Sequence, residues 1–169
     1  FFQDGEVIDL GSEQVEVIST PGHTPGNLSF LFRRSEILFL GDYDLTSFGP
    51  WYGDRYSSIE ETIASIHRLR DIPAKLWLTS HEAGVFTSAP DLVWSRYEEV
   101  IFERERKLLA FLKKERTFQE IRNTWICYGK PREPKAFFEF AEGALIRKHL
   151  EYLLKRGLAQ KQGDRYIRN

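Results

Sequence analysis

Short runs of Val, Ile, Leu and Phe dominate the N-terminal part of the chain. Four such runs cover residues 6–10, 14–18, 28–32 and 36–40. In the second run Val15-Glu16-Val17 alternates apolar with polar, which is typical of a strand with one buried face. Turn-forming segments at positions 11–12 and 33–35 separate the members of each pair. The pattern predicts two successive β-hairpins.

Helical spacing follows these strands. Ser58 and Glu61 form a capping-box pattern, and apolar residues follow at positions 59, 63, 66 and 69. The predicted helix ends near residues 71–73, because Pro73 disfavours helical geometry in the residue before it. Residues 75–79 are again typical of a strand.

A second, longer helix is predicted to begin with Asp91 as its N-cap. Its apolar face consists of Val93, Tyr97, Ile101, Leu108 and Leu112. The dense charge run at residues 99–106 on this helix is interpreted as a solvated face with i,i+4 pairs. The element order up to this point is four strands, a helix, a strand and a helix.

The C-terminal part differs in both pattern and charge. Residues 117–169 have a net charge of +5 and residues 1–116 one of −6. Helices are predicted over 118–126 and 137–155, then a stop at Arg156-Gly157 and a hairpin over 158–167 that turns at 162–164. Helices followed by a terminal hairpin are the outline of a winged helix. The predicted domains are residues 1–90, a connector helix over 91–116, and a winged-helix-like domain over 117–169.

The composition is that of a globular chain, with 41% hydrophobic and 29% charged residues among 169. No apolar stretch approaches the roughly 18 residues of a membrane span, so no membrane partner is expected. The single Cys127 excludes an intrachain disulfide and a thiolate zinc cluster, is expected to be buried and inert, and fits a cytoplasmic location. The chain lacks Met and begins at Phe1, so we expect it to be a piece of a longer protein.

Three side chains with metal-binding chemistry follow three of the predicted strands. His23 lies between two Pro-containing turns in residues 20–26, Asp42 follows Gly41, and His81 follows the strand at 75–79. Imidazole and carboxylate suit Zn²⁺ and also Fe²⁺ or Mn²⁺. The alternative interpretation is that such residues cap turns.

These motifs resemble the second half of a metallo-β-lactamase superfamily domain. The resemblance rests on residues 17–26 (VISTPGHTPG), 38–42 (LFLGD) and 78–81 (LTSH), and on the strand pair that begins at 4–11. It implies an α+β fold, namely the second half of an αββα sandwich followed by a mainly helical, winged-helix-like domain.

The resemblance also implies a dinuclear metal site and a hydrolytic reaction. His23 would bind one metal, Asp42 would bridge the two metals as the catalytic aspartate, and His81 would bind the second. Two zinc ions are expected in the intact protein, with iron or manganese as alternatives. Metal-activated water would attack an ester, thioester, amide or phosphodiester.

The first motif of that family, His-x-His-x-Asp-His, is absent. The four histidines stand at 23, 67, 81 and 149, so the motif is expected upstream of Phe1 and this chain alone is expected to be inactive. His67 is predicted to be solvated, and His149 to belong to helix packing or a basic face. A half sandwich would expose an apolar sheet face, which the missing N-terminal half or a second copy of the chain is expected to cover.

The loop that follows Asp42 offers further candidates. Asp44 is predicted either to support the metal ligands or replace one of them, or to cap a turn. Trp51 and Tyr52, in the aromatic segment 48–53, are predicted either to line a substrate pocket or to pack in the core.

The winged-helix-like tail supports two alternative hypotheses. In one, the tail binds RNA or DNA and the parent protein is a nuclease of the same fold. If the tail does not bind nucleic acid, the substrate of the parent protein is expected to be a small thioester or ester. In the other, the protein is a non-catalytic interaction protein. The residues predicted to contact phosphates are Arg147, Lys148, Lys155, Arg156, Arg165 and Arg168.

Overall fold

The computed structural model describes residues 2–81 and 84–169. In chain order the elements are β1 (Val7–Asp9), β2 (Gln14–Ser19), β3 (Leu28–Phe32), β4 (Ile37–Phe39), α1 (Ile59–Arg70), β5 (Leu76–Leu78), β6 (Val85–Phe86), α2 (Asp91–Phe111), β7 (Arg116–Thr117), α3 (Phe118–Arg122), α4 (Lys135–Lys155), β8 (Ala159–Gln162) and β9 (Arg165–Arg168). The chain forms two compact units. The first comprises the chain up to Tyr52 with Tyr56–Val100, and the second comprises Gly53–Arg55 with Ile101–Asn169.

The first unit contains a six-stranded sheet in the order β1-β2-β3-β4-β5-β6. Strands β1 to β4 pair antiparallel, which confirms the two predicted hairpins, and β4 pairs parallel with β5. Since each antiparallel pairing reverses the direction, β2, β4 and β5 all run the same way. Their carboxyl ends therefore lie at one edge of the sheet.

Both faces of this sheet are apolar, but they are buried to different extents. Cross-strand pairing places Leu38 beside Trp77, and these two side chains are 0% and 6% exposed. On the opposite face the paired residues Phe30, Phe39 and Leu78 are only half-buried. We call this the open face; Val15 and Val17 on it are buried, and its half-buried members are Ile8, Leu28, Phe30, Phe32, Ile37, Phe39, Leu76 and Leu78. A sheet that is apolar on both sides is typical of one that is covered on both sides.

Helix α1 follows the predicted pattern closely. Ser58 is its N-cap and accepts a hydrogen bond from the Glu61 amide, and the helix ends at Arg70 with Asp71 as its C-cap. Ile59, Ile66 and Leu69 are buried, whereas Ile63 is half-buried. Ser58 thus caps the helix at the position predicted from sequence, although its amide donates to the Gly22 carbonyl and not to the Glu61 side chain of a full capping box.

Helix α2 contributes residues to both units and corrects two predictions. Asp91 is its first residue and not its cap, because the Trp94 amide already bonds to the Pro90 carbonyl. The charge run at 99–106 is predicted to be solvated, yet Arg104 is 2% exposed. Its position falls between Ile101 and Leu108 on the predicted apolar face, so helical periodicity turns it inward.

The second unit consists of α3, α4 and a three-stranded sheet in the order β7-β9-β8. The terminal hairpin forms as predicted, with a turn at Gly163-Asp164. The helix predicted over 118–126 is shorter, because α3 ends at Arg122 and Trp125 has a positive φ of 55°. Among the described residues, no helix has the length and apolarity that crossing a membrane requires.

Charged groups lie buried within the second unit. Glu142 is 0% exposed and accepts hydrogen bonds from the amides of Cys127 and Tyr128, both at 3.0 Å. Burial raises the pKa of Glu142, although these amides and the Arg104 guanidinium favour its ionised form. Burial also raises the pKa of the half-buried Cys127 thiol, in agreement with an inert cysteine. This polar cluster fixes the segment between α3 and α4.

His149 gives the fold an acid-sensitive group. It is 0% exposed, and burial together with the nearby Arg104 charge lowers its pKa to about 3. The unfolded chain therefore binds the proton first, and stability is lost as the pH falls from the unfolded value near 6.5 towards 3. In the wild type, His149 should make the free energy of unfolding fall by about 1.4 kcal/mol for each pH unit in this range, and we expect the His149→Leu variant to lack this contribution.

Chemical denaturation of both proteins between pH 7 and pH 4 measures this effect. The raised pKa of Glu142 acts in the opposite direction, so the difference between the two proteins isolates His149. Equal slopes for the wild type and the variant would contradict the assignment.

Candidate functional site

The loops after β2, β4 and β5 bring three predicted residues together. The Nε2 atom of His81 lies 3.3 Å from Oδ1 of Asp42, and Nε2 of His23 lies 3.7 Å from Oδ2 of the same carboxylate. The two imidazoles therefore face different oxygens of one aspartate. The site is open to solvent, since the side chains of His23, Asp42 and His81 are 23%, 36% and 64% exposed.

The loop that carries His23 is closed at its base by Asn27. The Thr20 amide donates to the Asn27 carbonyl. Asn27 is buried, and its side-chain amide donates to the Thr20 carbonyl at 3.2 Å. Within the loop Gly22 has a φ of 130°, and a Cβ there would lie 2.4 Å from the Thr62 backbone nitrogen. Only glycine allows this approach to α1.

Two contacts orient His23 itself. Its Nδ1 lies 3.1 Å from the Trp51 carbonyl, and since a carbonyl only accepts, Nδ1 donates; in the neutral imidazole this arrangement leaves the lone pair on Nε2, which faces the site. The hydroxyl of Ser57, which is 6% exposed, donates to the His23 carbonyl at 2.5 Å. The sequence offered no signal for Ser57 and pointed to Trp51 only as an aromatic residue.

The loops that carry Asp42 and His81 are tied to each other. The Ser80 amide donates to the Gly41 carbonyl at 3.1 Å, and the Thr79 hydroxyl donates to the His81 carbonyl at 2.8 Å. Gly41 has a φ of 62°, and a Cβ there would lie 2.7 Å from the Leu28 carbonyl oxygen. The tight turn at Gly41 therefore directs Asp42 towards the two histidines.

Removing the Ser57 hydroxyl is expected to loosen His23. Partners that orient a metal-binding histidine typically change metal affinity 10- to 100-fold. For Ser57→Ala we expect roughly 10-fold weaker zinc binding in the intact protein, measured by chelator competition. Ser57→Thr keeps the hydroxyl and should recover the affinity, and the exposed Ser12→Ala should leave it unchanged. An unchanged affinity in Ser57→Ala would remove the proposed positioning role.

The donor chemistry of this cluster matches the metals considered above. Two imidazole nitrogens and a carboxylate whose two oxygens face different histidines are ligands that zinc, iron and manganese accept. Over residues 2–81 and 84–169, however, no group of three or more His, Cys, Asp or Glu side chains could hold a metal ion by itself. The three residues therefore fit part of a metal site, and their role as ligands stays a prediction.

The remaining candidates take more ordinary positions. The Asp44 carboxylate accepts from the Thr46 amide at 3.2 Å, which is the turn-capping alternative. Tyr52 is fully buried, so its side chain packs in the core. Trp51 is half-buried and acts on His23 through its carbonyl. His67 lies apart from the cluster, 57% exposed and 2.7 Å from Glu98, as a solvated histidine should.

Comparison with known sequences gives matches in hydrolases. Residues 1–81 match the profile of the Metallo-beta-lactamase superfamily. A hydroxyacylglutathione hydrolase from Synechococcus sp. (strain JA-3-3Ab) is 30% identical over 61% of this chain and 44% of the relative. An acyl-coenzyme A thioesterase from Gallus gallus is 38% identical over 41% of this chain and 25% of the relative. The matched regions make up at most about half of these relatives' lengths.

Solved structures extend the match to nearly the whole chain. A metallo-beta-lactamase family protein from Thermus thermophilus superposes with a TM-score of 0.79 at 27% identity, over 99% of this chain and 54% of that one. A beta-lactamase domain protein from Burkholderia ambifaria shares the fold with a TM-score of 0.71 at 17% identity, over 99% and 52%. Together with the profile match, these similarities support a partial metallo-β-lactamase-fold protein.

Proposed function

We propose that this chain is part of a metal-dependent hydrolase that cleaves thioesters. The observation that carries the proposal is the placement of two imidazole Nε2 atoms opposite the two oxygens of Asp42. The hydroxyacylglutathione hydrolase and acyl-coenzyme A thioesterase relatives support a thioester over a phosphodiester as the bond that is cleaved.

The residues present would hold the metals through specific atoms. His23 and His81 would bind through Nε2, and Asp42 would offer one oxygen to each metal. Bound metal acidifies water and polarises the scissile carbonyl, and two zinc ions are proposed, with iron or manganese as alternatives. The Trp51 carbonyl keeps the proton on Nδ1 of His23, so that Nε2 stays available as a ligand.

Further ligands are needed, since zinc in a catalytic site normally has three protein ligands. We propose that polypeptide outside these 169 residues supplies them, and that this chain by itself is inactive. The same polypeptide is proposed to cover the open face. Phe30 and Phe39 stack on this face with their ring centroids 6.4 Å apart, and both are only half-buried. A second copy of this chain is the alternative cover.

Phe30→Asp in the intact protein tests this cover. A charge on a covered apolar face should lower the free energy of unfolding by at least about 1.5–3 kcal/mol, the loss expected when a Phe is no longer buried. Phe2→Asp alters an aromatic residue that is 54% exposed and should change stability little. Equal stability of Phe30→Asp and wild type would show that the open face faces water.

The activity is tested with the intact gene product. Purified protein is assayed against a hydroxyacylglutathione, an acyl-coenzyme A and a phosphodiester, with metal content measured on the same sample. Metal binding with thioester hydrolysis and little phosphodiester hydrolysis is the expected result. Phosphodiester hydrolysis alone would favour a nuclease, and a metal-free, inactive protein would favour an interaction protein.

We propose a winged-helix-like architecture for the second unit, based on α3, α4 and the terminal hairpin. Nucleic-acid binding through this unit is the less supported function. Lys148 is bonded to the Arg55 carbonyl, and Arg156 bonds to Glu105 at 2.8 Å. Two of the cations predicted to contact phosphates are therefore engaged within the protein.

A further inference from the structure

A cavity of about 300 Å³ lies within the second unit, on one side of α4. Its walls come from the segment Gly53–Arg55 and from helix positions 140, 144, 147, 148 and 151. These positions follow the 3–4 residue spacing of a single helix face. The volume is at the lower end of small-molecule pockets, which suits one ring system with a charged group and not a polymer.

The chemistry of the walls is divided between cationic and aromatic groups. Arg55, Arg147 and Lys148 line the cavity, against two carboxylates, Asp54 and Glu151, so the lining has a net charge of +1. Phe140 lines it as well and is 73% exposed, although a large aromatic side chain is usually buried. An exposed ring beside guanidinium groups favours a ligand with both a planar ring and an anion.

The cationic wall is held in place by contacts inside the unit. Lys148 is 9% exposed, and its ammonium donates to the Arg55 carbonyl at 2.8 Å and lies 3.2 Å from Glu151. Glu151 is thereby largely balanced by Lys148. Arg147 stays exposed with its guanidinium 5.1 Å from the Phe118 ring, and this contact restrains the side chain at the cavity wall.

Ala144 makes room for a ligand. It lies one turn from both Phe140 and Lys148 on the same helix face and is 8% exposed. A larger side chain at this position would fill the space between the aromatic ring and the charged groups. A small residue, an aromatic ring and a restrained cationic wall therefore line the same cavity.

We propose that this cavity binds a phosphorylated nucleotide. Arg147 and Arg55 would contact the phosphate, for which a guanidinium offers paired donors, and Phe140 would stack on the base. The nucleotide is either free or the nucleotide end of a coenzyme such as coenzyme A. This binding does not depend on the proposed hydrolase activity.

The test is calorimetric titration of the intact protein with AMP, coenzyme A, adenosine and inorganic phosphate. Loss of a charge-assisted contact typically weakens binding about 10- to 100-fold. We expect AMP to bind more tightly than adenosine or phosphate by at least about 10-fold, and Arg147→Gln to remove that advantage. If coenzyme A binds more tightly than AMP, the site is assigned to the coenzyme. If the two bind equally, the site is assigned to the free nucleotide.

Two further variants separate the cavity from general charge. Arg165→Gln removes an exposed cation from β9 and should leave AMP affinity unchanged, whereas Ala144→Leu fills the cavity without altering charge and should abolish binding. Circular dichroism checks that each variant is folded. The proposal is overturned if AMP does not bind the wild type or if Arg147→Gln binds AMP as tightly as the wild type does.

Discussion

Replacing Asp42 by Asn in the intact protein is expected to lower thioester hydrolysis by more than about 100-fold. Removing a group that only orients a metal ligand typically lowers metal affinity or activity 10- to 100-fold, so removing a carboxylate that is itself proposed as a metal ligand should lower activity more. Asn keeps the size of the side chain but offers no charge and only one oxygen to the positions that face His23 and His81. Bound metal per protein should fall in parallel.

Matched variants make this result interpretable. Asp71→Asn removes an exposed aspartate at the end of α1, and His67→Ala removes a histidine that lies apart from the cluster. Both should retain metal and activity, while His81→Ala should behave like Asp42→Asn. Wild-type rates in Asp42→Asn, with unchanged metal content, would show that the cluster has no part in catalysis.

The largest expected effect on stability follows from Glu142→Ala. This change leaves the amides of Cys127 and Tyr128 without their acceptor and the buried Arg104 without its neighbouring carboxylate. Each buried amide that is left without its acceptor costs about 1–3 kcal/mol. Urea denaturation of the protein at pH 7 measures the loss of unfolding free energy.

Two variants calibrate this loss. Glu142→Gln keeps an acceptor oxygen and should lie between the wild type and Glu142→Ala. Glu139→Ala removes a surface partner of Lys135 on the same helix and should cost only about 0.3–0.5 kcal/mol. If Glu142→Ala costs no more than Glu139→Ala, the buried cluster does not stabilise the second unit.

The sequence was most informative where local rules determine structure. Hydrophobic alternation located β2, a short apolar run located β3, and Ser58 with Glu61 located the start of α1. Strand direction then explains why His23, Asp42 and His81 meet, because the strands before them run parallel and end at one edge.

Features that depend on tertiary contacts could not be predicted in this way. The orientation of His23 depends on a backbone carbonyl, and every residue has one, so Trp51 carries no sequence signal for that role. Arginine is usually a surface residue, whereas Arg104 is buried and interacts electrostatically with Glu142, which is distant in sequence. The two-residue strands β6 and β7 are too short for a periodic pattern.

The central claim is that His23, Asp42 and His81 together bind a metal in the intact protein. Anomalous diffraction from crystals of that protein, grown with zinc and collected at the zinc edge, tests it most directly. The account predicts anomalous density about 2.0–2.2 Å from Nε2 of His23 or His81 and from an Asp42 oxygen. Density elsewhere with none at this cluster, in protein that hydrolyses a thioester, would contradict the account.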